Sequence, residues 1–292
     1  MKKLLSVLLA LSMLLGCVAF ASEDDWDTEA YLTEVVGQDY GPAAETPELR
    51  DAAGTNGAVV SGKGEASEVG IAVLEAGGNA VDAAVATGLA IGYFEPNASG
   101  LGGGGFMNIW LADEQRAVAI SSQFPAPMNV TEDYFAELFD EDGNIDNEKR
   151  AEFQASGKSV SIMKALATYQ VALDNYGTMT LAEIMPYVIE ACQQGIRVTQ
   201  NFKSLYDSSY SKLIKSEGSQ EVWFKDGIIP YELDEVIYNE PLIETFEKIA
   251  EEGIEYFYTG ELGQKIIDAI QTDGGVMTME DMEQAMTDVL VI

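Results

Sequence analysis

Residues 80–93, Ala-Val-Asp-Ala-Ala-Val-Ala-Thr-Gly-Leu-Ala-Ile-Gly-Tyr, constrain the fold most tightly. Their composition favours a helix, and almost no side of that helix is polar, so it has to be buried between layers rather than laid on a surface. Asn79 with Asp82 has the form of a capping pair that starts it, and Glu95-Pro96 ends it. A helix at 66–75, closed by Gly77-Gly78, precedes it. The run Gly100-Leu101-Gly102-Gly103-Gly104-Gly105 follows, then 106–111, a short apolar stretch that reads as a buried strand. Residues 117–121 read as its partner across a turn at Asp113-Glu114-Gln115. Further helices are expected over 159–176, 181–194, 242–252 and 263–271, with 140–150 polar and looped. Residues 289–292 read as the opening of a strand, and a terminal apolar run of that kind calls for a partner or a continuation.

With 292 residues, 47% of them hydrophobic, the chain can bury a core in one large or two modest domains. It contains no histidine, which excludes Ser–His and Cys–His nucleophile pairs, histidine general bases and histidine metal sites. Lys and Arg total 16 against 49 Asp and Glu, a net charge of −33. A chain that repels phosphate this strongly is not expected to bind nucleic acid or an anionic membrane surface.

The first residues read as a targeting segment. Lys2 and Lys3 form a positive start, and 4–15 is apolar but too short to cross a bilayer, as in the core of a signal peptide. Two processing sites compete. Ala19-Phe20-Ala21 is the favoured cleavage site, giving a signal peptide over 1–21. Leu14-Leu15-Gly16-Cys17 has the form of a lipoprotein box that would lipidate Cys17 and attach the chain to a membrane. The mature chain is expected outside the cell or in its envelope. Residues 22–56, with Glu23, Asp24, Asp25, Asp27 and Glu29 clustered, read as a solvated acidic leader.

Four local patterns bear on chemistry. Gly100, Gly102 and Gly105 have the spacing of a dinucleotide fingerprint, but a helix precedes and a strand follows, so the amides do not open onto a helix N-terminus. A tight turn with close backbone packing is the plainer reading, and such a turn can also pack beneath an active site. Gly157-Lys158-Ser159 has the ending of a phosphate loop, yet Glu152 occupies the position of the required first glycine. Asp140, Asp142, Asn144 and Asp146 resemble a calcium loop, but aligning Gly143 with its glycine puts Leu138 and Lys149 at the end positions, leaving weak surface binding at most. Cys192 reads as a small packing residue, since no histidine is present to activate it. No metal or cofactor is expected.

The run Gly78-Asn79-Ala80-Val81-Asp82-Ala83-Ala84-Val85-Ala86, followed by Glu95-Pro96-Asn97-Ala98-Ser99 and the glycines through Phe106-Met107, resembles the γ-glutamyltransferase (γ-glutamyltranspeptidase) family. The likeness continues through Tyr176-Gly177-Thr178-Met179-Thr180-Leu181, Gly253-Ile254-Glu255-Tyr256-Phe257-Tyr258-Thr259-Gly260 and Gly274-Gly275-Val276-Met277-Thr278-Met279-Glu280-Asp281. It implies an α+β fold, the four-layer αββα sandwich of N-terminal-nucleophile hydrolases. It also implies a precursor that cuts itself so that a threonine, freed at the start of a small subunit, attacks a γ-glutamyl amide with its own α-amine as base. That chemistry needs no histidine base.

Three departures qualify the resemblance. The family's Thr-Thr-His cleavage motif is absent, so residues 57–292 are expected to be the large-subunit domain, truncated, with no catalytic nucleophile of its own and a missing small subunit as obligate partner. Half a sandwich should leave one sheet face bare. The family's Arg for the substrate α-carboxylate falls here on Gln123, which offers one amide in place of a charged fork; each such charged hydrogen bond is worth roughly 1.5–3 kcal/mol. The family's Val-Pro-Gly turn is replaced by Ile162-Met163-Lys164. The expected substrate is a small γ-glutamyl compound such as glutathione, hydrolysed or transferred to an amine, with the isolated chain inactive. The alternative is a non-catalytic exported binding or scaffold protein, or an inactive gene fragment.

Overall fold

The computed structural model describes residues 26–28, 30–31 and 52–292. The processing sites at Cys17 and Ala21 lie outside the described residues. The chain falls into two compact units, one of residues 52–196 with Tyr238–Ile292, the other of Arg197–Ile237 with the described residues between 26 and 31.

In the larger unit, α1 (Gly64–Glu75) leads into α2 (Ala80–Phe94). The Asn79 side chain accepts from the amides of Val81 at 2.8 Å and Asp82 at 3.1 Å, while Asp82 Oδ2 accepts from the Asn79 amide at 2.7 Å, so the expected capping pair forms in both directions. The all-round apolar character of α2 is explained by its neighbours: α1, α4 (Ala165–Tyr176) and α5 (Leu181–Cys192) all pack on it. Helices α1 and α2 cross at Gly70, where an added Cβ would come 2.3 Å from Thr87 Oγ1.

After the glycine run, β1 (Gly105–Leu111) and β2 (Arg116–Ser122) form an antiparallel hairpin, with Gly105 opposite Ser122 and Leu111 opposite Arg116. The turn between them carries Gln115 at φ 52°. A short helix, α3 (Asn147–Gln154), then precedes α4 and α5, so the expected loop over 140–150 gives way to helix at its end. The helix expected over 159–176 begins only at Ala165. Residues 160–164 form no helix, because their amides go elsewhere: Ile162 to Pro125 O at 3.1 Å, and Lys164 to Gly103 O at 2.9 Å.

The smaller unit holds α6 (Gln200–Leu213), α7 (Glu217–Trp223) and a hairpin of β3 (Phe224–Lys225) and β4 (Ile229–Pro230). Among the described residues of the acidic leader, Asp27 and Ala30 are exposed, while Tyr31 is buried here and its hydroxyl donates to Asp207.

Returning to the larger unit, α8 (Glu240–Glu252), α9 (Glu255–Tyr258), α10 (Glu261–Thr272) and α11 (Met279–Thr287) lead to β5 (Leu290–Val291). The strand expected at the end forms, and it pairs with β2 antiparallel, giving the order β1-β2-β5. Val118 and Ile120 of β2 are buried, and α4 packs on that strand. The opposite face is bare: Phe106 is 72% exposed, Trp110 61%, Leu290 58% and Ile292 72%. The architecture is α+β, with helices covering one face of the sheet.

Candidate functional site

The register brings several chain segments to one end of the sheet. Gly105 starts β1 opposite Ser122 at the end of β2, Gln123 follows Ser122 directly, and Leu290, opposite Ser121, starts β5. The glycine run is fixed behind this edge. Gly103 O accepts from the amides of Lys164 and Ala165, both at 2.9 Å, and Gly103 N donates to Gly100 O at 3.1 Å. A Cβ on Gly92 would stand 3.0 Å from Gly100 Cα, so helix α2 and the glycine turn touch backbone to backbone. The turn joins a helix end to a strand start, and the first amides of α4 that it meets are taken by Gly103 O rather than left open to a phosphate.

Lys164 sits at the same edge. Its side chain is 4% exposed, and its ammonium donates to the Asp288 carbonyl and lies 3.2 Å from Asp288 Oδ2. One lysine thus ties the glycine turn, the start of α4 and the entry to β5 together. Sequence spacing gave no signal for this pairing, since the partners are 124 positions apart; the only visible trace was the departure at Ile162-Met163-Lys164. Gln123 is exposed at this edge, beside Phe124, which is 54% exposed.

Two buried carboxylates brace the segments around the site. Asp82, fully buried, accepts from Thr178 Oγ1 at 2.6 Å and from the amides of Thr178 at 3.0 Å and Met179 at 3.2 Å, in addition to capping α2. Burial alone would raise its pKa, but the hydrogen bonds from the Thr178 hydroxyl and the three amides outweigh it and hold the carboxyl below the usual range. Asp281 repeats the device in α11, capping it from Thr278 and accepting from the Met128 amide at 2.7 Å. Asp82 was legible only as a cap, and its second set of donors comes from chain 96 positions away.

The other patterns are local structure. Gly157 is held because an added Cβ would stand 2.3 Å from Ile270 O, and its amide donates to Asp273 Oδ2 at 2.8 Å. Asp140 Oδ1 accepts from the amides of Asp142 and Asn144 at 2.9 and 2.8 Å, and Asp146 caps α3. Among the described residues, no group of three or more His, Cys, Asp or Glu is placed to hold a metal ion. Cys192 is buried, and burial pushes its thiol up to about 12. A small apolar cleft lies between Gly88, Leu89, Tyr169 and Phe246, with room for about one water.

Comparison with known proteins shows what the chain resembles. The Gamma-glutamyltranspeptidase family profile matches residues 66–289. The chain is 34% identical over 228 residues to a glutathione hydrolase proenzyme of Escherichia coli (strain K12), covering 77% of this chain and 38% of that protein. It is 32% identical over 237 residues to an Acylase ACY 1 proenzyme of Pseudomonas sp. (strain V22), covering 81% and 42%. The gamma-glutamyltranspeptidase of Helicobacter pylori superposes with a TM-score of 0.74 at 28% identity, over 82% of this chain and 66% of that one. The chain therefore spans about two fifths of the length of the curated relatives it matches.

Proposed function

The chain belongs to the gamma-glutamyltranspeptidase family, and on that premise we propose that it forms the large-subunit portion of an enzyme that cleaves γ-glutamyl amides such as glutathione. Its α+β fold is that of the N-terminal-nucleophile hydrolases. In this reading the attacking group is a threonine at the start of a small subunit outside this chain. Its hydroxyl proton passes to its own α-amine, the acyl group moves to the threonine oxygen as the amine departs, and water or a second amine then takes the acyl group. The residues of this chain build one wall of that site: the glycine turn, Gln123 and the Lys164–Asp288 tie at the sheet edge.

The observation that carries the reading is the bare sheet face of Phe106, Trp110, Leu290 and Ile292, an apolar surface shaped to be covered by a second sheet. The chain alone is expected to release no p-nitroaniline from a γ-glutamyl anilide, and co-expression with a threonine-bearing small subunit is expected to restore release. Turnover by the purified chain alone overturns the proposal. So does covalent labelling of a Thr or Ser within it by an electrophilic glutamine mimic.

A second reading is favoured by Gln123. Without a guanidinium at that position, the acyl group need not carry an α-carboxylate, or the chain is a non-catalytic scaffold. Acylation assays with γ-glutamyl and glutaryl anilides on the reconstituted pair distinguish these readings: turnover of the glutaryl compound alone supports another acyl group, and no turnover of either supports the scaffold. The chain is proposed to be exported. Mass spectrometry of the mature N-terminus is expected to begin at Ser22, whereas a lipidated Cys17 there establishes the membrane-anchored form.

A further inference from the structure

The smaller unit is under-sized for its work. Arg197–Ile237 supplies only about 40 residues, a length at which a single core seldom stands without help. Its core is aromatic: Phe202, Tyr206, Tyr210 and Phe224 are all buried, with Tyr210 set edge-on to Phe224 at 5.2 Å between ring centres. It also encloses a charge pair, Lys203 and Asp207, 2.7 Å apart and both buried. Such a pair is costly to bury unless its remaining hydrogen-bonding capacity is met.

The missing wall comes from the far end of the chain. The ring of Tyr31 lies 5.0 Å from that of Tyr210, tilted by 58°, and the Trp26 ring lies 5.0 Å from Tyr31, tilted by 50°. The Tyr31 hydroxyl donates to Asp207 and accepts from Lys203 Nζ at 3.2 Å, while the Lys203 ammonium stands 5.4 Å above the Tyr31 ring. Trp26 Nε1 donates to the Tyr210 hydroxyl at 3.0 Å, which itself donates to Ile228 O at 3.1 Å, so the indole is tied through Tyr210 to the β3–β4 hairpin. Inside the segment, the Ala30 amide donates to Asp27 Oδ1 at 2.9 Å, which sets the turn that presents Tyr31.

We infer that residues 26–31 are a strap that completes the core of this unit and seals its buried Lys203–Asp207 pair. The strap meets partners 176 and 184 positions later. Contacts of that separation form last, so the unit closes only after residues 197–237 have been made and the N-terminal segment is free to dock.

The test is hydrogen exchange on the full chain, comparing the amides of Gln200–Leu213 with those of Ala80–Phe94 in the other unit as internal control. Trp26→Ala with Tyr31→Ala is expected to raise exchange in the first segment at least tenfold and leave the second unchanged. Tyr31→Phe, which keeps the ring and removes the hydroxyl, is expected to produce a smaller rise confined to the same segment. A peptide of residues 22–31 added to chain lacking residues 1–31 is expected to restore protection. Unchanged exchange at 200–213 in the double variant overturns the inference, as does an equal rise in both segments.

Discussion

Asp82 has no exposed surface and yet stays ionised, because every face of its carboxylate meets a donor. Replacing it by Asn swaps an acceptor for an amide that must point at a donor, and is expected to cost about 2–4 kcal/mol in denaturant unfolding. The folded pKa lies below the unfolded one, so the stabilisation is complete above the unfolded value and is lost as pH falls through the folded one. Below about pH 4 the parent chain should therefore lose stability more steeply than Asp82→Asn. Cys192 makes the opposite point: buried among apolar neighbours, it should resist iodoacetamide in the native chain and react once urea unfolds it. Its packing role was legible from the sequence, since the chain has no histidine to activate a thiol.

At the scale of elements, capping chemistry and apolar periodicity marked α1, α2, α5 and the β1–β2 hairpin, and the structure has all of them near their expected bounds. Residues 159–164 did not follow, because the glycine turn and Pro125 compete for the amides that a helix would have used. Helices α6 and α7 were also missed. Many of their apolar positions are aromatic and interleaved with polar ones, and those rings are placed by contacts such as Tyr210 on Tyr31 and Phe202 on Trp223 rather than by a simple apolar stripe. The tie at Lys164 is an element-scale device. Lys164→Ala is expected to cost about 1–2 kcal/mol and to speed exchange of the Ala119 and Ile292 amides, which bond across β2 and β5, more than that of the β1–β2 amides. Gly157→Ala should be worse than its small size implies, because the new methyl meets backbone carbonyls that cannot swing away.

On the scale of the whole molecule, the exposed residues Phe106, Trp110, Leu290 and Ile292 give one sheet face an apolar surface on a chain of net charge −33. Long-range repulsion opposes association in dilute buffer, and salt screens it. Sedimentation should therefore show association that grows with salt, and Phe106→Ser with Trp110→Ser should weaken it. If the double variant associates as strongly as the parent, another surface is responsible.

The sequence by itself determined the buried helix, the hairpin and the capped helix starts, because each of these is written in neighbouring residues within a turn or two of one another, and it determined the family through several such local runs. Tertiary structure alone decided the second donors of Asp82 and Asp281, the Lys164–Asp288 tie and the docking of Tyr31. Those contacts join residues 96 to 176 positions apart, and no local spacing encodes which distant donor will meet a buried charge.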